Sequence, residues 1–525
     1  MMYHDTSWIA NNQTTQMKLF NILLASALVL GATSCDDDKN PHPAYVNGTE
    51  TENPNTPENP EPGTEDSSSR NEQYRPQVHY TPAKNWTNDP NGMVYVDGVY
   101  HLYYQYNPQG NDWGNMSWGH ATSTDLIHWE EKPVAMLRNE WGDIFSGSAV
   151  IDKDNTAGFG KGTMLAFYTG SGEHQQQCLA YSKDGGLTFT QYEGNPIIPN
   201  TVLGDFRDPK VIWHEASKQW VMSLALGWDH KIEFWGSKDA KNWEKLSTFT
   251  TDAARSNIGQ WECPDLFPLQ YKGQEKWVLI VSNNPGGPAG GSGIEYFIGD
   301  FDGKEFKAMD LAYPFWLDYG ADNYAGVTWS NAPGDRKIMI GWMNNWNYCG
   351  NVPCSPWRSA FTLPHELKLV EVNGSPILAA PVVNELDAIA GQWTTAADGN
   401  VGALDAYEAK FTVKTNENST FRLENTKGQY LEFEVNGAEK MLIAKRTSTT
   451  GEVKFNNLFS VPSISAPLNC EGDEMEIHVV VDRSSVELFS ADGATCMTNI
   501  VFPIESYTVI SGAGPVEYRK LSSIW

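Results

Sequence analysis

The sequence is poor in positive charge and in cysteine. Lysine and arginine number 37 against 65 aspartates and glutamates, and the formal net charge at pH 7 is -28. This balance disfavours nucleic acid and anionic membrane surfaces as partners, so we expect no nucleic-acid partner. The 7 cysteines show no paired Cys-x-x-Cys spacing, and we therefore predict no metal site and no cofactor.

Long apolar runs are also scarce. The run over residues 19–32 follows Lys18 and has the basic start and apolar centre of a secretory signal. It is too short to favour a transmembrane helix. We expect the segment over residues 1–34 to be the signal peptide. Its first 16 residues lack the signal pattern, so we expect the true start of translation to be Met17.

The signal is followed by a segment that lacks large apolar residues. Small residues precede Cys35, which resembles a bacterial lipoprotein cleavage site, and the acidic residues 36–38 resemble a surface-export signal of outer-membrane lipoproteins. We expect Cys35 to be lipidated and residues 35–74 to be an unfolded tether. The predicted location is the outer membrane, with the folded part of the chain exposed at the cell surface. A periplasm-facing lipoprotein and a cleaved soluble protein are the alternatives.

Aromatic residues, in contrast, are plentiful, with 20 Trp, 22 Tyr and 21 Phe. Aromatic rings serve cores first, and their flat faces also stack on sugar rings. Apolar strand-like runs recur through residues 75–375 in steps of 64, 57, 57 and 60 residues. They begin at Val99, Thr163, Trp220, Trp277 and Lys337. A period near 60 made of short strands and polar turns is typical of a β-propeller, here with five blades.

Three short motifs place a carboxylate in a turn before an apolar strand pattern. Trp-Thr-Asn-Asp-Pro-Asn-Gly, Arg-Asp-Pro and Glu-Cys-Pro contain Asp89, Asp208 and Glu262 respectively. Two carboxylates across one sugar bond are the minimum for hydrolysing a glycoside. The alternative is that these are ordinary turn residues.

The spacing of the motifs favours the catalytic interpretation. Asp89, Ser146, Asp208, Glu262 and Asp322 lie 10, 17, 12, 15 and 15 residues before the five runs. This places them near the start of the innermost strand of successive blades. Innermost strands surround the axis of a propeller, so residues that enter them at one end converge on one pocket.

Together and in this order, the motifs resemble glycoside hydrolase family 32, the fructan hydrolases and invertases. Other segments share the resemblance: residues 105–108, 113–114, 145–148, 324–325 and 482–487. It extends from about residue 75 to the C-terminus. The period is lost after about residue 380, and alternating strands such as residues 411–413, 430–433 and 477–481 predict an antiparallel β-sandwich over residues 376–525, as the resemblance also implies.

The resemblance implies a role for each motif residue. Asp89 is the expected nucleophile, Glu262 the general acid/base and Asp208 the transition-state stabiliser. Arg207 is expected to pair with a catalytic carboxylate, unless it forms only a local ion pair. Further residues are expected to bind the terminal fructose or stack on sugar: Asn88, Gln105, Trp113, Phe145, Ser146, Asp322 and Trp342. For the two tryptophans, core packing is the alternative.

The chain is therefore expected to be an all-β, monomeric, retaining glycoside hydrolase that acts on fructan polysaccharides or oligosaccharides. We predict an endo-acting levanase, because a polymer too large for outer-membrane pores must be cut outside the cell. The alternatives are an exo-acting fructanase, inulinase or invertase, a fructosyltransferase, and a non-catalytic surface glycan-binding lipoprotein. The linkage preference, β-2,6 or β-2,1, is not readable from the motifs.

Overall fold

The computed structural model describes residues 70–251 and 258–525. The predictions for residues 1–34, for Cys35 and for most of the tether lie outside the described residues. Helix in the described part is confined to 3₁₀ turns at Gly227–Asp229, Pro333–Asp335, Cys349–Asn351, Asn384–Ile389 and Ser448–Thr450. None of the helices in this part is long and apolar enough to cross a membrane.

Five sheets, antiparallel apart from one short parallel pairing, follow one another in the described residues up to residue 366. Sheet 1 contains β1 (Asn85–Val96), β2 (Val99–Tyr106), β3 (Ser117–Ser123) and β4 (Glu130–Met136). Sheet 2 contains β5 (Asp143–Asp152), β6 (Thr163–Ser171), β7 (Gln175–Ser182) and β8 (Thr190–Gln191). Sheet 3 contains β9 (Phe206–His214), β10 (Gln219–Leu226), β11 (Lys231–Ser237) and β12 (Glu244–Phe249).

The last two sheets are less regular. Sheet 4 contains β13 (Gln260–Tyr271), β14 (Gln274–Asn284), β15 (Gly293–Phe301), β16 (Phe306–Ala308) and β17 (Phe315–Trp316). Sheet 5 begins with β18 (Tyr324–Thr328) and β19 (Ile338–Met343). Next, β20 (Trp357–Arg358) crosses to pair in parallel with β1. Sheet 5 then continues with β21 (Ala360–Phe361) and β22 (His365–Glu366), and a hairpin of β23 (Lys368–Val372) and β24 (Ser375–Ala379) follows.

The five sheets surround a common axis. Their first strands, β1, β5, β9, β13 and β18, contact one another in a closed ring. The predicted apolar runs form the second strands, β2, β6, β10, β14 and β19, to within three residues of the predicted starts. These strands are buried almost throughout because each sheet is covered on both faces by its neighbours. The residues just before or within the first strands therefore meet at one end of the axis.

The C-terminal part is a two-sheet sandwich. Its strands are β25 (Thr394–Ala396), β26 (Tyr407–Lys414), β27 (Ser419–Glu424), β28 (Tyr430–Asn436), β29 (Met441–Arg446), β30 (Val461–Pro467), β31 (Glu474–Asp482), β32 (Ser485–Ser490), β33 (Cys496–Ile500), β34 (Val509–Ser511) and β35 (Val516–Lys520). The sheets have the orders β25-β35-β26-β31-β32-β33 and β30-β29-β28-β27-β34. Alternation sets the core, since Leu431, Phe433 and Val435 of β28 are buried between the sheets. The predicted sandwich is confirmed.

Buried charges join the sandwich to the propeller. His79, which precedes β1, contacts Asp482 at 2.8 Å and Glu487 at 2.6 Å. Glu487 also accepts a hydrogen bond from the backbone N–H of Leu363 at 2.9 Å and lies 3.0 Å from His365 Nε2. Glu487 is only 1% exposed, so this acidic residue of the β32 motif is structural.

Candidate active site

Each of the five innermost strands carries a β-bulge near its start. The register shifts lie between residues 87 and 90, 144 and 147, 207 and 210, 262 and 265, and 324 and 327. Asp208 (φ 64°), Cys263 (φ 46°) and Ala325 (φ 53°) occupy the left-handed region within three of them. A bulge bends its strand and re-aims its side chains, and non-glycine residues in this region concentrate at functional sites. The five bulges turn the motif side chains toward the axis.

The three predicted catalytic carboxylates come together around Cys263. Its backbone N–H donates to Asp208 Oδ2 at 2.9 Å. Its Sγ lies 3.5 Å from Asp89 Oδ2 and 3.7 Å from Asp208 Oδ2. Because Cys263 directly follows Glu262, carboxylates from sheets 1, 3 and 4 share one site. Burial and the surrounding carboxylates raise the pKa of the Cys263 thiol well above its usual value, so it stays protonated and donates.

Asp89 is held at both oxygens. Ser146 Oγ donates to Oδ2 at 2.7 Å, and Asn88 Nδ2 donates to Oδ1 at 3.0 Å. Trp86 Nε1 in turn orients Asn88 through its Oδ1 at 2.8 Å. Burial and the negative charge of Glu262 raise the pKa of Asp89, whereas the hydrogen bonds from Ser146, Asn88 and Cys263 oppose the rise. The carboxylate is fixed in orientation and partly open to the pocket.

Glu262 is held by a cation and a phenol. Arg207 donates to Oε1 from Nε at 3.2 Å and from Nη2 at 2.8 Å, and the Tyr324 hydroxyl donates to Oε2. Arg207 is itself anchored by Asp205 and by Gln175 Oε1 at 3.2 Å. The carboxylate groups around Arg207 raise its pKa despite burial, so it remains a cation. With its side chain 15% exposed, Glu262 retains access to a ligand.

Asp208 is the most enclosed of the three, at 5% exposure. Its backbone N–H donates to Thr169 Oγ1 at 3.1 Å, which fixes the bulge. Burial raises the pKa of Asp208, Arg207 opposes that rise, and the charges of Glu262 and Asp89 add to it. An enclosed carboxylate beside two others suits electrostatic and hydrogen-bonding work better than attack on a ligand.

The remaining predicted binding residues divide into two groups. Trp113 and Phe145 are partly exposed and form an edge-to-face ring pair with centroids 6.1 Å apart. Gln105 is buried, and its Nε2 donates to the backbone oxygen of Ile144 at 3.1 Å, on the strand that carries Ser146. Trp113 and Phe145 therefore offer an aromatic surface, while Gln105 positions the start of β5.

Asp322 does not occupy a sugar-binding position, which corrects the prediction. It is 0% exposed, and its Oδ1 accepts from the Tyr348 hydroxyl at 2.5 Å. Its Oδ2 pairs with Arg446 of the sandwich and accepts from the backbone N–H of Ile500 at 2.9 Å. Asp322 precedes β18 where the sandwich covers sheet 5, so its charge joins the two domains.

Trp342 is likewise a core residue, which corrects its predicted stacking on sugar. It is 0% exposed, and its Nε1 donates to the backbone oxygen of Thr87 at 3.1 Å. Its ring packs against Trp346, with centroids 5.0 Å apart. Through this hydrogen bond to Thr87, Trp342 stabilises the bulge of β1 from within the core.

Tyr324 and Gln175 were missed as site residues. The sequence did contain a signal for Tyr324, because residues 324–325 share the family resemblance and Asp322, two residues earlier, is in phase with the other four motif residues. None existed for Gln175, which begins β7, the third strand of sheet 2, and reaches Arg207 only through the packing of neighbouring sheets. In the described part of the chain, no group of three or more His, Cys, Asp or Glu residues could hold a metal ion.

Comparison with known proteins decides the family. The model of the glycosyl hydrolases family 32 N-terminal domain matches residues 79–381, and that of the C-terminal domain matches residues 386–521. The chain belongs to glycosyl hydrolase family 32. Within this family, a levanase of Bacillus subtilis (strain 168) is 45% identical over 465 residues, which cover 84% of this chain and 68% of the relative.

Two further family 32 relatives extend the comparison. An extracellular exo-inulinase of Aspergillus niger (strain ATCC MYA-4892 / CBS 513.88 / FGSC A1513) is 38% identical over 516 residues, which cover 86% of this chain and 95% of the relative. The crystal structure of the exo-inulinase from Aspergillus awamori matches with a TM-score of 0.79 and 34% identity, covering 86% of this chain and 99% of that chain. The propeller-and-sandwich architecture is therefore shared with solved family members.

Proposed function

We propose that this protein is a retaining hydrolase of β-fructosidic bonds and that levan is its polymeric substrate. One observation supports the chemistry: Asp89, Asp208 and Glu262 meet around Cys263. The Cys263 sulfur lies 3.5 Å from Asp89 Oδ2 and 3.7 Å from Asp208 Oδ2. The B. subtilis relative at 45% identity is a levanase, which supports the choice of levan.

The reaction follows from where each carboxylate is held. Asp89 attacks the anomeric carbon as Glu262 gives a proton to the leaving oxygen, so the bond to the leaving group breaks and a fructosyl-Asp89 ester forms. Glu262 then takes a proton from water, and the resulting hydroxide displaces Asp89. Both Asp89 oxygens already accept hydrogen bonds, so the nucleophile needs little reorganisation.

Asp208 and the aromatic pair bind rather than react. Asp208 grips ring hydroxyls of the bound fructose and its negative charge stabilises the oxocarbenium-like transition state. Trp113 and Phe145 supply apolar contact for a sugar ring at the partly exposed side of the site.

Substitution of the two reacting carboxylates tests the chemistry. Asp89→Asn or Glu262→Ala should lower kcat by more than about 10³-fold while the fold persists, because each change removes a bond-forming or proton-transfer partner. Glu244→Ala, an exposed carboxylate on β12, is the matched control. Near wild-type turnover in either catalytic variant would exclude the assignment.

Time-resolved product profiles on levan, inulin and sucrose test the substrate. Faster hydrolysis of inulin than of levan would overturn the choice of levan. Free reducing sugar in dilute solution is the expected product of hydrolysis. Products longer than the starting oligosaccharide would instead identify a fructosyltransferase.

End-trimming is a second candidate for the mode of attack. Internal cutting was predicted from the tether, and it stays a prediction. Two observations favour the release of terminal fructose. First, the match with the exo-inulinase relative spans 95% of that relative's length. Second, Asp208 and Arg207 are almost fully enclosed, at 5% exposure each. A closed pocket admits only a chain end. An early ladder of oligosaccharides would support internal cutting, and early fructose alone would support end-trimming.

Display on the cell surface is the last part of the proposal, and it rests on the sequence around Cys35. Lipidation of Cys35 should keep the protein with outer-membrane fractions, and Cys35→Ala should release it. External protease should remove activity from intact cells if the enzyme faces outward. Retention of the Cys35→Ala protein in the membrane fraction would contradict the anchor.

A further inference from the structure

A second cavity lies on the propeller axis, at the end opposite the catalytic carboxylates. Its volume is about 760 Å³, within the range of ligand-binding pockets. It is lined by the later parts of four of the five innermost strands, including Asp152 at the end of β5, His214 at the end of β9 and Thr328 at the end of β18. None of the three catalytic carboxylates lines the cavity, and on β13 its lining begins at Asp265, beyond the bulge that follows Glu262. The cavity is therefore distinct from the candidate active site.

A buried polar cluster forms part of the cavity wall. Asp265 is 0% exposed. Its Oδ2 accepts from the backbone N–H and the hydroxyl of Thr328, both at 2.7 Å, and lies 3.0 Å from Lys210 Nζ. Its Oδ1, in contrast, has no hydrogen-bond partner in the described part of the chain. A buried carboxylate oxygen without a donor is costly, so a ligand that brings a hydroxyl would be bound favourably.

The other walls indicate the class of ligand. The lining includes Trp213, whose indole is partly exposed, and indole faces pack well on sugar rings. Three further tryptophans, Trp220, Trp277 and Trp329, back this wall from the core at 4%, 7% and 2% exposure. Six carboxylate residues line the cavity against three lysines, which disfavours anionic ligands. A neutral molecule with both apolar faces and hydroxyl groups meets these conditions.

We propose that this cavity is a second carbohydrate-binding site, which takes a neutral saccharide. A sugar hydroxyl supplies the donor that Asp265 Oδ1 lacks, and a ring face packs against Trp213, whose indole is partly exposed. The site retains a saccharide without cleaving it, since the reacting carboxylates lie at the other end of the axis. The proposal rests on the cavity and not on the proposed function.

The test uses the full chain with catalysis blocked by Asp89→Asn together with Glu262→Gln. Titration calorimetry with a β-2,6-linked fructotriose should then show two binding sites per chain. Adding Ser330→Trp should abolish one of them. Ser330 lines the cavity, and its backbone N–H and C=O bind Met93 and Tyr95, so the larger side chain fills space without breaking the backbone pairing.

Matched variants separate binding from folding. Ser330→Ala should keep both sites, and Ser330→Trp in the active enzyme should leave sucrose hydrolysis and Tm unchanged. Trp213→Ala should weaken the second site by at least about 10-fold, the equivalent of about 1.4 kcal/mol. Trp235→Ala, a tryptophan on β11 of the same sheet outside the cavity, should not.

Two results would overturn the proposal. One is a single fructotriose site in the catalytically blocked chain, and the other is a second site that survives Ser330→Trp. A failure of the proposed function looks different, because the active enzyme would then release no sugar from any β-fructoside, whatever the number of binding sites.

Discussion

Arg207 donates two hydrogen bonds to a single oxygen of Glu262, from Nε at 3.2 Å and from Nη2 at 2.8 Å. Arg207 stands next to Asp208 in the chain, so one bulge supplies both a carboxylate to the site and a guanidinium that holds the proposed acid/base. The guanidinium is anchored on its far side by Asp205. The acid/base is thus oriented from a different sheet than its own.

The first prediction concerns this positioning. Arg207→Lys keeps the charge but loses the planar fork, so Glu262 should lose its fixed orientation. We expect kcat to fall about 10- to 100-fold, as for the loss of a charge-assisted hydrogen bond, with little change in KM. Steady-state kinetics check this, and Arg422→Lys on β27 is the control. An unchanged kcat, or an effect on KM alone, would show that Arg207 is only a local ion-pair partner.

The second prediction is stereochemical. Attack by Asp89 and then by water inverts the anomeric carbon twice, so the product keeps the β configuration. NMR of the first-formed product should show β-fructofuranose before mutarotation. An initial α product would mean that water attacks directly and that Asp89 acts as a base.

The third prediction concerns pH. Burial raises the pKa of Asp89 above its usual 3.8, and the nucleophile must be ionised. kcat/KM should therefore fall as the pH drops through a midpoint above 3.8. The Ser146 hydroxyl favours the ionised form through its 2.7 Å hydrogen bond, so Ser146→Ala should move this midpoint to higher pH. Ser463→Ala in the sandwich is the control, and a midpoint that Ser146→Ala leaves in place would argue against Asp89 as the titrating group.

The fourth prediction concerns the buried charges between the domains. Burial alone would lower the pKa of His79, but Asp482 and Glu487 outweigh burial and raise it from 6.5 to about 9. Burial would raise the pKa of Glu487, but hydrogen bonds from His365 and His79 outweigh burial and lower it from 4.5 to about 2. The contribution of His79 to stability is complete below pH 6.5 and is lost as pH rises through 9. That of Glu487 is complete above pH 4.5 and is lost as pH falls through 2.

The contribution of these buried charges to the free energy of unfolding should therefore be greatest between about pH 4.5 and 6.5. Denaturant titrations across pH measure it. Glu487→Gln removes the negative charge that His79 and His365 share. It should destabilise the protein by about 3 kcal/mol or more. Glu517→Gln, at an exposed position of β35 in the sandwich, should have little effect. A Glu487→Gln protein with wild-type stability at pH 6 would contradict this role.

Much of the fold follows from local pattern. The apolar runs near Val99, Thr163 and Trp220 are the second strands of their sheets because a strand covered on both faces must be apolar throughout. The alternating residues of β28 likewise report a strand with one buried face. The bulges were not predictable in the same way, because Asp208 and Cys263 adopt positive φ without being glycine, and only the packing around them holds that conformation.

The sequence by itself determined the all-β class, the two-domain order and the residue types of the site, because strand periodicity and turn chemistry are local properties. It also predicted that Asp89, Asp208 and Glu262 enter their strands in phase. Only the tertiary structure decided which acidic and aromatic motif residues face the pocket. Asp322 and Trp342 occur in the same kind of pattern as the others, yet both are 0% exposed. The sandwich covers Asp322 with Arg446, and neighbouring tryptophans cover Trp342. Burial depends on chain segments distant in sequence, so no local pattern could reveal it.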